Sequence, residues 1–113
     1  MVSNPQKAKG SQWERDVVKY LKETGHRWVE RAYGAGRQDD RGDITGLPGW
    51  VLECKNHKAM DLAGWIAEAN VERANANAEY TVVVVKRKGK PAANGYVVME
   101  LEQFSRILRE LNE

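Results

Sequence analysis

The run Tyr80-Thr81-Val82-Val83-Val84-Val85 constrains the fold more than any other segment of the chain. Its residues are β-branched or aromatic and nearly all apolar, with no polar side to turn toward water, so they require a strand covered on both faces. A central strand in a layered α/β domain follows. Of 113 residues, 42% are hydrophobic and 30% are charged, the balance of one globular domain. Residues 11–113 are read as that domain, and residues 1–10 as a flexible basic leader.

The other elements fall around this strand. Ser11-Gln12-Trp13-Glu14 has the form of a capping box, and Trp13, Val17, Tyr20 and Leu21 follow at helical spacing, predicting a first helix from about 11 to 24. Gly25 ends it, His26 to Arg31 alternates as a short strand, and a polar glycine-rich loop runs from Gly34 to Gly42. Asp43 to Gly46 and Trp50 to Lys55 read as the two strands of a hairpin around a Pro48-Gly49 turn. From Asp61 to about Ala78, Leu62, Trp65, Ile66 and Ala69 share one helical face, with Glu68, Glu72 and Arg73 elsewhere on the surface. Tyr96 to Met99 forms a last strand, and Phe104, Ile107, Leu108 and Leu111 mark a closing helix. The predicted order is α-β-β-β-α-β-β-α, a mixed sheet flanked by helices.

Several classes of function are excluded early. No apolar run reaches the roughly 18 residues needed to span a bilayer, and MVSNPQKAKG lacks the apolar stretch of a signal peptide, so the expected location is the cytoplasm. The single cysteine, Cys54, rules out an intramolecular disulfide and a zinc site of several thiolates. A net charge of +2 permits nucleic-acid binding without requiring it. The distribution says more: Lys86, Arg87, Lys88 and Lys90 cluster where a strand leaves the sheet, suited either to holding phosphates or to keeping a strand edge solvated.

The most informative stretch is Gly42-Asp43, nine intervening residues, and then Glu53-Cys54-Lys55. Alternation places Val51, Glu53 and Lys55 on one face of their strand and Trp50, Leu52 and Cys54 on the other, core-facing side. An acid and a base two apart on an otherwise apolar strand need partners. A divalent cation between Asp43 and Glu53 supplies one, since hard Mg²⁺ or Mn²⁺ prefers oxygen ligands, and Lys55 then lies one step further along the same face. This is an arrangement suited to metal-assisted phosphodiester hydrolysis. It depends on register: a two-residue Pro48-Gly49 loop would set Asp43 opposite Cys54, whereas an odd-length loop sets it opposite Glu53. The odd loop, or an equivalent bulge, is predicted.

The pattern Asp43…Glu53-x-Lys55, behind a helix bearing Glu14 and ahead of an α-β unit, resembles the PD-(D/E)xK nuclease superfamily, and within it the short Holliday-junction resolvases of archaea and phages. The likeness covers roughly residues 10 to 86, with Gly42 where the family usually has proline. It implies a restriction-endonuclease-like core carrying an extra strand and a carboxy-terminal helix. It also implies a Mg²⁺-dependent endodeoxyribonuclease, with Mn²⁺ as a substitute, in which Asp43, Glu53 and the backbone carbonyl of Cys54 bind metal and Lys55 positions the water. Glu14 would match the first-helix glutamate that completes the acidic cluster. Arg31, Arg37, Gln38 and Arg41 fall where the family carries DNA-contacting residues. Resolving a four-way junction takes two symmetric nicks, so the resemblance implies a homodimer, in host cytoplasm if the chain is phage-encoded.

Each residue also has a plainer reading. Glu14 sits at the third position of the supposed capping box and could serve the helix terminus alone. Asp39 and Asp40 read as solvated loop residues, and His57 either contacts DNA or is a strand-end surface residue. Cys54 points inward with Leu52, as core rather than nucleophile. Trp13, Trp28, Trp50 and Trp65 lie on apolar stripes that suit a core or a dimer interface better than base stacking. Two other functions remain open: a nuclease of the same fold acting on flap, nicked or linear duplex DNA, and a non-catalytic DNA-binding module.

Overall fold

The structure, a computed structural model, describes residues 4–32 and 42–113. Its elements are α1 (Pro5–Glu23), β1 (Glu30–Arg31), β2 (Ile44–Thr45), β3 (Trp50–Lys55), α2 (Leu62–Asn75), β4 (Tyr80–Val85), β5 (Tyr96–Val98) and α3 (Leu101–Leu111), with a short 3₁₀ turn at Ala92–Asn94. The five strands form one mixed sheet in the order β1-β2-β3-β4-β5. All neighbours are antiparallel except β3 and β4, which run parallel and are joined through α2. This is the mixed α/β architecture expected of a restriction-endonuclease-like core.

All six residues of β4 are buried, as its composition demands. Val82 and Val84 join Trp13, Val17, Val29, Ile44, Leu52 and Cys54 in one apolar layer, while Val83 and Val85 pack with Trp65 and Ala69 in the other. Period-2 alternation therefore splits the strand between two cores, one under α1 and one under α2. Trp13 ties its layer down twice: its ring is buried, and its Nε1 donates to the carbonyl of Val84 at 3.0 Å.

Two helix assignments shift. α1 begins at Pro5, not near Ser11, because Asn4 is the true N-cap: its Oδ1 accepts from the amides of Gln6 at 3.0 Å and Lys7 at 3.2 Å, with proline in the first helical turn. Residues 5–10, expected in the leader, are thus helical, and Ser11 and Glu14 are interior positions with no capping role. α2 is capped by Asp61, whose Oδ1 accepts from the Gly64 amide at 3.1 Å. Its buried stripe is Trp65, Ala69 and Glu72, while Leu62 is exposed. Glu72, expected on the surface, is only 2% exposed. The strand expected over His26 to Arg31 shrinks to Glu30–Arg31, and Trp28, expected in a core or interface, stands 78% exposed beside Arg27.

The hairpin takes the odd register. Ile44 pairs with Leu52, which carries Asp43 to the position opposite Glu53. The Trp50 amide donates to the Leu47 carbonyl at 3.0 Å, closing a turn in which Gly49, at φ +84°, supplies the left-handed residue that a Pro-Gly type II turn needs. Among the described residues, no helix is long and apolar enough to cross a membrane.

Beyond the stretch that β5 pairs, β4 has a bare antiparallel side, since their ladder covers only Val83 to Val85. Gln103 of α3 fills part of the gap: fully buried, it accepts from the Thr81 amide at 2.7 Å and donates to Asn70 Oδ1 at 3.2 Å. Removing that acceptor strands a buried N–H, which costs about 1–3 kcal/mol. Gln103→Leu is expected to lower the free energy of unfolding by about that amount in urea titration; Gln103→Glu, which keeps the acceptor, is expected to retain more of it.

Candidate active site

The site begins at a glycine. Gly42 has φ +95°, and a Cβ built on it would lie 2.7 Å from Val51 Cγ1 and 3.2 Å from the Leu52 carbonyl. Proline is locked near φ of about −65° and cannot take this conformation, so the departure from the usual proline follows from the local backbone. The next residue is pinned on both sides: the Asp43 carbonyl accepts from the Ala32 amide at 2.8 Å, and its amide donates to the Leu52 carbonyl at 3.0 Å. Its side chain then turns back to β3, where Oδ2 accepts from the Cys54 amide at 2.8 Å.

Glu53 is 5% exposed, on the α2 face of β3 as alternation predicts. Its Oε1 lies 3.6 Å from Lys55 Nζ, while its Oε2 is buried with no hydrogen-bond donor among the described residues. Lys55 Nζ is in turn 3.0 Å from Glu68 Oε2. Asp43, Glu53 and Lys55 therefore converge on one face at one end of the parallel strand pair.

The electrostatics follow from crowding carboxylates in an apolar sheet. Burial, and then the neighbouring Glu53, push the Asp43 carboxyl up to about 8; the Cys54 amide opposes this and Glu14 adds to it. Burial and the adjacent Glu72 carboxyl push Glu53 up to about 9, against the pull of Lys55. For Lys55, burial alone would lower the pKa, but its contacts with Glu68 and Glu53 prevail and hold the ammonium above its ordinary value. Burial drives the Cys54 thiol far above its ordinary range, which leaves it a core residue and no nucleophile.

Sequence reasoning missed two members of this cluster. Glu68 and Glu72 of α2 bring carboxylate oxygens to Glu53 so that the three ligand atoms all lie within 4.8 Å of one another. The signal for Glu72 was present: Trp65, Ala69 and Glu72 continue a single helical stripe, and only the charge of the last suggested a surface position. Glu14 comes from the opposite layer, where Arg31 holds it at 3.1 Å, and its charge still reaches Asp43. An all-oxygen donor set, with a buried orphan oxygen on Glu53, fits a hard divalent cation.

A basic segment leaves the sheet next to Lys55. The Lys86 amide donates to the Lys55 carbonyl at 2.9 Å, so the basic segment starts beside the site. Lys86 Nζ lies 5.3 Å from the centroid of the Trp13 ring, Arg87 stacks over Tyr96 at 4.8 Å, and Lys88 and Lys90 are exposed. β3 ends at Lys55; His57 lies beyond it, exposed, with its ring 5.5 Å from that of Trp65. Arg37, Gln38, Asp39, Asp40 and Arg41 lie outside the described residues.

Raised carboxyls link stability to pH. The unfolded chain releases the Asp43 and Glu53 protons near pH 4, whereas the metal-free fold keeps them to about 8 and 9. Their contribution is therefore fully present below pH 4 and lost as pH rises through 8 to 9. Metal-free protein is expected to lose melting temperature between pH 6 and 9, and Asp43→Asn to flatten that slope. A divalent cation, which binds the ionised forms, is expected to reverse the loss and to release protons at pH 7, read by calorimetry in buffers of different ionisation enthalpy.

Comparison with known proteins agrees with this geometry. The family model described as phage putative PDDEXK endonuclease matches residues 5–113. No curated protein and no solved structure matches the chain. A match running from the first residue of α1 through α3, over the hairpin that brings Asp43, Glu53 and Lys55 together, places the chain in the phage putative PDDEXK endonuclease family.

Proposed function

We propose that the protein is a divalent-metal-dependent endodeoxyribonuclease that hydrolyses phosphodiester bonds in branched DNA, acting on Holliday junctions as a homodimer that makes paired nicks. The observation that carries this reading is the odd hairpin register, which sets Asp43 beside Glu53 with Lys55 on the same face. Asp43, Glu53 and the Cys54 carbonyl would hold Mg²⁺, or Mn²⁺ in its place, and Glu14 would complete the acidic set. When bound, the cation supplies Lewis acidity at the scissile phosphate and favours hydroxide over water.

The chain's own groups do the rest. Lys55 Nζ, one side-chain step from Glu53, orients the attacking water and offsets charge developing on the phosphate oxygens as the new P–O bond forms and the old one breaks. Lys86, Arg87, Lys88 and Lys90 hold the flanking backbone, with Arg31, His57 and the loop residues Arg37, Gln38 and Arg41 as further DNA contacts; such contacts give salt-dependent affinity and little sequence information. Leu101, Phe104, Leu108 and Leu111 form an exposed apolar row along α3, which supports self-association through that helix.

The test is cleavage of a labelled four-way junction beside a linear duplex of matched sequence, with Mg²⁺ or EDTA. Paired nicks on the junction alone are expected, with a loss of at least about 100-fold in Asp43→Asn and Lys55→Met. Equal cutting of junction and duplex would retain the nuclease and discard junction preference. Binding without cutting in any metal would leave a DNA-binding module. Leu108→Lys is expected to abolish any dimer seen in sedimentation and to uncouple the two nicks.

A further inference from the structure

We propose that the cleft between α1 and β1 is a second binding surface for the sugar-phosphate backbone of DNA, with Arg15, Lys19 and Lys22 as its phosphate contacts. The proposal rests on the nuclease reading for its choice of polyanion, but these three side chains lie outside the acidic set and outside the segment Lys86 to Lys90. The cleft has a volume of about 500 Å³ and is lined by Arg15, Lys19, Lys22 and Arg31, together with Val18, Glu23 and Glu30.

The sequence sets the cations in a row. Residues 15, 19 and 22 follow at intervals of four and three, which puts them on one stripe of α1, and all three are exposed. Trp13 and Val17 occupy the buried side of the helix, so the stripe takes no part in the core. Among the described residues none of the three forms an ion pair; the Arg15 guanidinium reaches the Gln12 side-chain oxygen at 3.4 Å. Lys22, in the last turn, complements the helix dipole, but Arg15 and Lys19 are interior positions without that benefit. Like charges four residues apart weaken a helix, so neutral residues at 15 and 19 would serve the fold better. A polyanion gives the row a partner that the chain does not supply.

The cleft also adjoins the reacting centre. Arg31 lines it and holds Glu14 at 3.1 Å, and the amide of the next residue, Ala32, donates to the Asp43 carbonyl at 2.8 Å. In the sheet, β2 and β3 separate β1 from β4, three interstrand steps or about 14 Å. Asp43 leads into β2 and Glu53 lies on β3, whereas the basic segment follows β4. The two cationic surfaces thus belong to opposite sides of the strands that carry the acids. A duplex rises about 3.4 Å per base pair, so about 14 Å corresponds to roughly four base pairs. Backbone contacts on both sides of a scissile phosphate hold it in line with an attacking water, and they position DNA without reading its sequence.

The experiment measures binding of labelled linear duplex and labelled four-way junction by fluorescence anisotropy in EDTA, across a series of salt concentrations. The proteins are wild type, Lys19→Gln, Lys22→Gln, the double variant, and Arg109→Gln as a charge-matched change on the exposed surface of α3. Each lost phosphate contact is expected to reduce the slope of log K against log salt by about 0.9, and the double variant to bind at least about tenfold more weakly at 0.1 M salt. Arg109→Gln is expected to leave the slope unchanged. Melting temperature should hold in both lysine variants, since glutamine keeps the helix and relieves repulsion; a purely structural role would lower it and spare the slope. A reduced slope on both DNAs assigns the cleft to the duplex being cut, and a reduced slope on the junction alone assigns it to a neighbouring arm. An unchanged slope on both, or a change no larger than that of Arg109→Gln, would overturn the proposal. Metal-dependent cleavage with unchanged slopes removes the cleft and leaves the nuclease standing. Reduced slopes with no cleavage of any DNA keep the backbone surface and sink the nuclease.

Discussion

The pairing of Ile44 with Leu52 is the constraint on which the rest of the molecule depends. A slip of one residue in a hairpin exchanges the faces of one strand relative to the other. It would turn Asp43 into the α1 layer among Trp13, Val17 and Leu52, and would expose Ile44 to the charged side. The register is fixed from both ends. At the turn, Pro48 and Gly49 set a type II geometry; at the far end, Gly42 takes a conformation closed to other residues and hands the chain to Asp43. Between them the apolar pair Ile44 and Leu52 selects the α1 layer, so the same burial that stabilises the sheet aligns the two carboxylates.

That alignment is unfavourable for the fold taken alone. Two acids in mutual contact inside an apolar sheet remain protonated well into the neutral range, and the upward shifts of Asp43 and Glu53 measure the tension. A structure built only for stability would place valine or leucine at these positions, as it does at Val51 and Leu52. The cost is accepted locally and offset by the two cores around β4, by the Trp13 anchor and by the polar network of Gln103, Asn70 and Thr81. Sites that contradict the packing rules while their surroundings obey them are where function concentrates.

Legibility from sequence divides along the same line. β4 and β3 were readable because period-2 patterning reports directly on burial, and the odd loop was readable because only one register reconciles Asp43 with Glu53. The start of α1 was obscured by Gln6, Lys7, Lys9 and Gly10, which give no apolar periodicity; the Asn4-Pro5 pair held the signal and Ser11 offered a more conventional decoy. Glu72 was hidden by its charge, although its place on the Trp65–Ala69 stripe was plain. Gln103 was unreadable, since its burial depends on where β5 stops pairing with β4, a tertiary fact that no local pattern contains. Trp28, expected in a core or a dimer interface, is outside the core of the chain, because the two-residue β1 does not carry it under α1.

The charge layout gives the site a further property. The carboxyls of Asp43, Glu53, Glu68 and Glu72 lie together beside β3, those of Asp43 and Glu53 holding their protons without a metal, while the basic segment from Lys86 to Lys90 starts where β4 ends, its first amide donating to the Lys55 carbonyl. Without a cation, the Lys55 ammonium is engaged by Glu68 and Glu53, so a phosphodiester finds its cationic partners in the basic segment rather than at the cluster. On the nuclease reading, DNA held by the basic segment therefore lacks a partner at the reacting centre until metal arrives. A cation held by Asp43 and Glu53 would displace their protons and would weaken the hold of Glu53 on Lys55. On that reading, binding in the productive position and competence for chemistry would be the same event, because a single set of acidic residues would control both.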